Sequence, residues 1–471
     1  MSSIAAGAEF FRDDIFPGSV TDTGSLRGAQ LFEMSGRKQA LAWALAVTAS
    51  VVVLHQGPFM PNVDPSGSSG TNAGATGESG GSDDEEAGDG EEGGSDNDDA
   101  PKKIADPVLK CDEWLKSRDV TAKLEKDIGV AARTIVSSKQ STGITVAITC
   151  GDKLLASVEA GTADGKEKVS AEKTKYDLSS VGKPITALGV LKLVDKGTIT
   201  LDTKIGKYLD EYTKGDKANV TFGDVLRQLS GLGYYESYDK DLKATPAKTT
   251  KTLRDEPLVA EPRTRELYSN TGYNIVRDAA TKAAGEPLED LITREILKPL
   301  GVDEGIGISG EVKNCAATSL DADPSTTLRC ESQDRLYIAR GVPGHTGWFA
   351  TAAALSKVNA MIAQDGVYDG KQIFKKATLK AMKEPLEGFT RGAGLQSNAK
   401  SKNTGLRPFG TAFSPKAYGH TGWNGPVIAV DPSGLTITKL TNETFRKEVD
   451  QTQTHATNRK LCDIAMGIVK P

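Results

Sequence analysis

Apolar residues recur at helical spacing between residues 119 and 139, a pattern that predicts a helix with one buried face. Two apolar-rich segments follow it, Gly143–Cys150 and Lys153–Ala160. Gly151-Asp152 stands between them and is a short hairpin-turn signal. The first part of the folded chain is therefore predicted to be a helix followed by a β-hairpin.

Helical patterns dominate the middle of the chain, from Pro184 to about Gly301, and an apolar helix is predicted again at Ala350–Ala363. The C-terminal third contains three predicted strands and a last helix, at Tyr418–Gly422, Val427–Val430, Leu435–Leu440 and about Thr457–Val469. This order of a helix, strands, a helical block, strands and a helix is typical of an α+β protein.

The segment Gln39–Val63 contains no charged residue, and Arg37 and Lys38 stand directly before it. About 17–25 residues can cross a bilayer, and basic residues favour the cytoplasmic side. We therefore expect a single-pass membrane anchor at 39–63, a flexible cytoplasmic tail at 1–38 and an extracytoplasmic remainder. The alternative is a protein secreted after cleavage of a signal peptide.

Residues 64–102 form a Gly-, Ser- and acid-rich tract with twelve acidic side chains. Such a composition cannot bury enough apolar surface to fold, so a disordered tether is predicted, with a catalytic domain at 103–471. Without these acids the formal charge of −5 becomes +7, but the basic residues are scattered through Lys-rich stretches. Nucleic-acid binding is therefore not expected.

Ser180 and Lys183 begin a long helical pattern that continues to about Lys196, which places them one turn apart on the same face. Asp177 and Ser179 before them are typical of a helix start. A serine hydroxyl at the positive end of a helix, beside an ammonium group, is a candidate nucleophile.

Ser-x-x-Lys is weak evidence by itself, because the chain has five such spacings. They begin at Ser35, Ser170, Ser180, Ser237 and Ser397. Only Ser180 opens a long helix whose apolar residues indicate that it is buried, so Ser180 is the preferred nucleophile.

Tyr268-Ser269-Asn270 lies at a break between helical segments, where side chains can point into a cleft. A tyrosine phenol titrates near 10 in water and acts as a base only beside cations, so Lys183 is its expected neighbour. Asn270 is then placed to orient both Lys183 and a substrate amide.

His420-Thr421-Gly422 lies on a predicted strand, and an edge strand offers its backbone to a substrate lying alongside. The amide of Trp423 is expected to join that of Ser180 as an oxyanion hole. A second His-Thr-Gly-Trp, at 345–348, runs into the Ala350–Ala363 helix with Thr351 as its cap, so we interpret it as a helix start.

With these three motifs the chain resembles the serine β-lactamase-related superfamily, in the branch of class C β-lactamases, D-Ala-D-Ala carboxypeptidases and esterases. The resemblance spans about residues 120–470 and rests on six short motifs in family order. They are Ser179–Lys183, Leu229–Leu232, Tyr268–Asn270, Pro299–Gly301, His420–Gly422 and Leu440–Asn442. Two departures are Gln228-Leu229, where the family often has His-Thr, and Val276-Arg277, where it often has Leu-Gly.

The resemblance implies an antiparallel sheet flanked by the N- and C-terminal helices, with an inserted helical domain at about 190–330. It implies that Ser180 is acylated, that Lys183 and Tyr268 share the general-base work, and that Asn270 positions the substrate. His420 stands where many members have Lys. The function expected is a membrane-tethered serine hydrolase for a peptide, β-lactam or ester; the alternative is a catalytically idle binding or scaffold protein.

Four His and five Cys show no Cys-x-x-Cys type of spacing, so neither a metal nor a cofactor is expected. Export would allow disulfides. The family resemblance brings Cys111 and Cys462 within reach of each other, Cys315 and Cys330 flank one local loop, and Cys150 is left free. The alternative is that all five are reduced.

Overall fold

A computed structural model describes residues 109–469 except 117, 235–244, 321–322 and 402–403. The predicted tail, anchor and tether (1–38, 39–63 and 64–102) lie outside these residues. No helix within the described ranges has the length and apolar character needed to cross a membrane.

The largest sheet has six strands in the order β10-β11-β12-β13-β1-β2, and all neighbours are antiparallel. The strands of the described chain are β1 (Gly143–Cys150), β2 (Lys153–Gly161), β3 (Tyr176–Asp177), β4 (Ile306–Ile308), β5 (Ala317–Leu320), β6 (Asp323–Arg329), β7 (Trp348–Ala350), β8 (Val367–Tyr368), β9 (Lys371–Gln372), β10 (Gln396–Ser397), β11 (Tyr418–Thr421), β12 (Val427–Val430) and β13 (Leu435–Thr441). Strands from both ends of the chain therefore meet at the β13–β1 pair, as the resemblance implied.

Helices cover both faces of this sheet. The α-helices of the described chain are α1 (Arg118–Ser137), α2 (Gly182–Asp195), α3 (Phe222–Leu226), α4 (Pro246–Asp255), α5 (Asn270–Ala284), α6 (Leu288–Ile292), α7 (Lys298–Leu300), α8 (Arg335–Arg340), α9 (Ala352–Ala363), α10 (Lys376–Lys383) and α11 (Gln451–Val469). A π-helical turn, Thr293–Leu297, joins α6 to α7.

The alternation of side chains along β1 explains the two layers. Ile144, Val146 and Ile148 point into a core with the terminal helices α1 and α11, which pack against each other. Ala147 points to the other face, where α9 lies along β13 and β1 and where the core continues into α2 and α5. The predicted α+β fold, with terminal helices flanking an antiparallel sheet and a helical insertion, is confirmed.

Most element boundaries agree with the sequence pattern, but two predictions change. The last helix begins at Gln451 rather than near Thr457. Strand β11 is not at the edge of the sheet, because β10 lies beyond it. However, β10 pairs only with Tyr418 and Gly419, so it leaves His420 and Thr421 uncovered on that side.

The prediction of a Cys111–Cys462 disulfide was wrong. Cys111 is bonded to Cys150, with their Cα atoms 5.8 Å apart, and Cys462 is a buried free thiol. The backbone N–H of Cys111 donates to Ser433 O, and Cys150 pairs with Leu435 across the sheet, so the β12–β13 turn holds both cysteines at one end of the sheet. The predicted Cys315–Cys330 disulfide is present, with a Cα–Cα distance of 5.2 Å.

Candidate active site

Ser180 lies in a 3₁₀ turn, Ser179–Val181, that leads directly into α2, as predicted. The preceding residue, Ser179, has a φ of 46°, which is a strained value for a residue with a side chain. Asp177 holds this conformation, because its carboxylate accepts hydrogen bonds from the N–H groups of Ser179 (2.9 Å) and Gln333 (3.1 Å). Asp177 is therefore a turn-forming residue here rather than a simple helix cap.

Lys183 connects the two proposed catalytic hydroxyls. Its Nζ lies 3.0 Å from Ser180 Oγ and 2.6 Å from the phenolic oxygen of Tyr268, and its side chain is fully buried. Burial lowers the pKa of the Lys183 ammonium well below its usual value; the charge of Asp334 opposes this shift and that of Arg391 adds to it. A neutral amine in this position can accept the proton of the Ser180 hydroxyl.

Tyr268 is almost completely buried, and burial raises its pKa to about 12, against the opposing effects of a hydrogen bond with Ser180 and of the charge of Arg391. Asn270 begins α5 two residues later, and its side chain lines the same cleft. The structure therefore brings Ser180, Lys183, Tyr268 and Asn270 together, as the sequence predicted.

The end of β11 forms another side of the cleft, lined by His420, Thr421, Gly422 and Trp423. A Cβ atom on Gly422 would lie 2.7 Å from Leu178 O, so only glycine allows this strand end to approach the turn that carries Ser180. His420 donates from Nδ1 to Thr421 O (2.7 Å) and is neutral, since burial lowers its pKa well below the usual value. Its free ring nitrogen can accept a hydrogen bond from a substrate.

Arg391 was not predicted from the sequence. Its guanidinium lies 5.2 Å from the centre of the Tyr268 ring and donates to Glu266 (3.1 Å) and Gln396 (3.2 Å). The side chain is only 9% exposed and lines the cleft. No local pattern distinguishes Arg391 from the many other basic residues of the chain, so its position depends on the tertiary fold.

A polar segment was also missed, and it contributes Gln333, Asp334, His345 and Thr346 to the cleft. We call these four residues the acceptor wall. His345 Nε2 lies 3.0 Å from Asp334 Oδ2, and Gln333 Nε2 lies 3.4 Å from Ser179 Oγ. The repeated His-Thr-Gly-Trp at 345–348 is the available signal in the sequence, where the pattern around it indicates a helix start.

The interpretation as a helix start is confirmed, because the Thr351 side chain caps α9 by accepting from the N–H of Ala354. The residues before the cap, however, also reach the cleft. The described ranges hold no group of three or more His, Cys, Asp or Glu residues suited to a metal ion.

Comparisons with known proteins identify the family and the fold. A family model described as Beta-lactamase matches residues 124–459. A protein of Escherichia coli (strain K12) named "Putative D-alanyl-D-alanine carboxypeptidase" is 27% identical over 302 residues, which are 57% of this chain and 69% of the relative.

Two solved structures are similar in fold. EstCE1, described as a hydrolase with promiscuous acyltransferase activity, has a TM-score of 0.59 at 19% identity and covers 74% of this chain and 99% of its own. A penicillin-binding protein homologue from Caulobacter crescentus has a TM-score of 0.58 at 18% identity, with coverages of 74% and 98%. At such identities these structures support the fold alone.

Proposed function

Because the chain belongs to the Beta-lactamase family, we propose that it is a serine hydrolase that is acylated at Ser180 and cleaves an amide or ester bond. The observation that carries this proposal is the position of Lys183 Nζ within hydrogen-bonding distance of both Ser180 Oγ and the Tyr268 hydroxyl. The substrate is a small molecule or a peptide that enters the cleft beside β11.

In the proposed acylation, the neutral Lys183 amine takes the Ser180 proton while Ser180 Oγ attacks the substrate carbonyl carbon. The backbone N–H groups of Ser180 and Trp423 stabilise the resulting oxyanion. Lys183 and Tyr268 then pass the proton to the leaving nitrogen or oxygen, and the carbon–heteroatom bond breaks. Water releases the acyl group from Ser180 in the second half of the reaction.

The same geometry supports the proposed substrate-binding roles. Asn270, which lines the cleft, holds a substrate amide, and the uncovered backbone of His420 and Thr421 pairs with an extended substrate. The named carboxypeptidase relative favours peptides as the first substrates to test, and esters and β-lactams are the other two classes.

Intact-mass analysis tests this function directly. The wild-type chain is incubated with a fluorophosphonate and, separately, with a penicillin, and the modified peptide is mapped. We expect a single adduct on Ser180 and none in a Ser180→Ala variant. An adduct at Ser170, Ser237 or Ser397, or no adduct with either reagent, contradicts the proposal.

The membrane anchor also remains a proposal. It is supported by the charge-free segment Gln39–Val63, by Arg37 and Lys38 before it and by the acidic tract after it. Protease added to intact cells or sealed vesicles is expected to cleave within residues 64–102 and release the catalytic domain. Recovery of the whole chain in the soluble fraction with its N-terminus intact contradicts the anchor.

A further inference from the structure

The acceptor wall contains a largely buried carboxylate, Asp334, whose side chain is 17% exposed. Asp334 Oδ1 accepts from the Tyr337 N–H (2.8 Å), and Oδ2 lies 3.0 Å from His345 Nε2. Burial opposes ionisation of Asp334, but His345 and the Tyr337 N–H hold the pKa of its carboxyl below the usual value. Asp334 is therefore a carboxylate anion at neutral pH.

His345 does not neutralise this charge. Its Nδ1 lies 2.9 Å from the side-chain amide of Asn274, so Nδ1 accepts and Nε2–H donates to Asp334. Burial lowers the pKa of His345, so the ring is neutral. Throughout the part of the chain that the structure describes, no lysine or arginine forms an ion pair with Asp334.

Two neighbours of Asp334 in the acceptor wall have an oxygen atom without a hydrogen-bond partner among the described residues. Gln333 Oε1 and Thr346 Oγ1 are buried and have no hydrogen-bond partner among the described residues. The two residues are 4% and 2% exposed, yet both line the cleft. A buried acceptor without a donor is unfavourable, and a buried charge without a counter-charge is more so.

The acceptor wall adjoins the nucleophile. Gln333 lies against Ser179, and a Cβ atom on Gly182 would lie 3.4 Å from Thr346 Cα, so Gln333 and Thr346 flank the start of α2. The acceptor wall therefore borders the turn and the helix start that carry Ser180, and it lines the same cleft.

We propose that the acceptor wall binds a primary ammonium group of the substrate, with Asp334 as its counter-ion and Gln333 Oε1 and Thr346 Oγ1 as further acceptors. An ammonium has three N–H donors and one positive charge, which match two neutral acceptors and one carboxylate. The proposal rests on the proposed hydrolase function and narrows it to acyl donors that carry a free amine, such as the first residue of a short peptide.

Binding of two matched ligands tests this site apart from catalysis. Alanyl-alanine and lactoyl-alanine, each with a D and an L first residue, differ only in the ammonium or hydroxyl group. They are titrated by NMR into the full chain carrying Ser180→Ala, which cannot turn them over. A charge-assisted hydrogen bond predicts that the better alanyl-alanine isomer binds roughly 10- to 100-fold more tightly than its lactoyl counterpart.

Three further variants in the Ser180→Ala background make the test specific. Asp334→Asn is expected to abolish the preference for the ammonium ligand, and Thr346→Val, which keeps the side-chain shape, to reduce it by a smaller factor. Asp290→Asn, at an exposed position on α6, is the charge-matched control and is expected to leave the preference for the ammonium ligand unchanged. Melting temperatures show that each variant is folded.

Equal binding of the two ligands, a preference that survives Asp334→Asn, or failure of alanyl-alanine to bind in the millimolar range overturns the ammonium site. Labelling of Ser180 by the fluorophosphonate in the wild-type chain does not depend on these results. A labelled Ser180 without ammonium preference refutes this inference alone, whereas an unlabelled Ser180 refutes the proposed hydrolase.

Discussion

Lys183 Nζ lies 2.6 Å from the phenolic oxygen of Tyr268, in a fully buried position that Ser180 Oγ also reaches. The two partners are not equivalent as bases. Burial lowers the pKa of the lysine well below its usual value and raises that of the tyrosine to about 12. Near neutral pH the amine is therefore the group that can take a proton, and the phenol is the group that can relay one.

Lys183→Met is accordingly expected to slow acylation of Ser180 by roughly 10²- to 10⁴-fold, the usual range for a lost general base. Tyr268→Phe keeps the amine and is expected to have a smaller effect. The rate of fluorophosphonate labelling, followed by intact mass, measures both. Lys357→Met, at an exposed position on α9, is the control. A larger loss for Tyr268→Phe than for Lys183→Met would identify the tyrosine as the base.

Two charges near Lys183 predict opposite changes in the pH dependence of acylation. Acylation requires the unprotonated amine, so its rate falls as the pH drops through the pKa of Lys183. Arg391 lowers that pKa and Asp334 raises it. Arg391→Gln is therefore expected to move the acidic limb of the pH–rate profile of acylation to higher pH. Asp334→Asn is expected to move this limb to lower pH.

The labelling rate of each variant across the acidic range measures these shifts. Arg294→Gln, at a half-exposed position paired with Glu286, removes the same charge away from the cleft and is expected to leave the limb in place. Shifts of the same sign in Arg391→Gln and Asp334→Asn would show that Lys183 does not control the limb.

A buried ion pair supports the turn that carries Trp423. Lys439 Nζ donates to Glu443, Asn458 and Gly425 O, each at 2.8 Å, and the two charged side chains are 0% and 2% exposed. Glu443→Ala leaves a buried charge unpaired and is expected to lower the free energy of unfolding by about 3–5 kcal/mol. The double variant Lys439→Met/Glu443→Leu is expected to lower the free energy of unfolding by less, because it leaves no buried charge unpaired.

Urea unfolding of these variants measures the difference. The exposed pair Lys380–Glu384 has the same spacing along the chain, so Glu384→Ala is a matched control with an expected change of up to about 1 kcal/mol. A similar decrease in the free energy of unfolding for Glu443→Ala and Glu384→Ala would contradict a special role for the buried pair.

The disulfides predict a defined pattern of cysteine reactivity. Non-reducing peptide mapping is expected to recover Cys111 bonded to Cys150 and Cys315 bonded to Cys330. Cys462 is expected to alkylate only after unfolding, because burial raises the pKa of its thiol and blocks access. A Cys462 peptide bonded to Cys111 would restore the pairing that the structure contradicts.

Removal of the Cys111–Cys150 disulfide is expected to lower the stability of the fold more than removal of the Cys315–Cys330 disulfide. In the chain-entropy model, the 39-residue separation of Cys111 and Cys150 corresponds to about 4 kcal/mol, and the 15-residue separation of Cys315 and Cys330 to about 3 kcal/mol. Thermal unfolding of Cys111→Ser and Cys315→Ser variants checks the order.

The sequence by itself determined the elements and the order of the catalytic motifs. Hydrophobic spacing located α1 and β2, because each buries one face and so imposes a period on its own residues. Short apolar runs located β1 and the C-terminal strands, because these are buried on both faces. The motif at Ser180 was recognisable because the serine, the lysine and the helix that carries them are local to one another. Tyr268 and His420 were recognisable because they lie in short motifs of their own.

Only the tertiary structure decided which distant residues complete the site. Arg391 has no local pattern, and the fold alone brings it against Tyr268. Asp334 caps α8 through a local hydrogen bond to the Tyr337 N–H, but only the fold brings His345 against its other oxygen. The partner of Cys111 was decided in the same way, by a backbone hydrogen bond to the β12–β13 turn that places it beside Cys150. Periodicity reports which face of an element is buried, but not which other element covers it, and contacts between loops have no period at all.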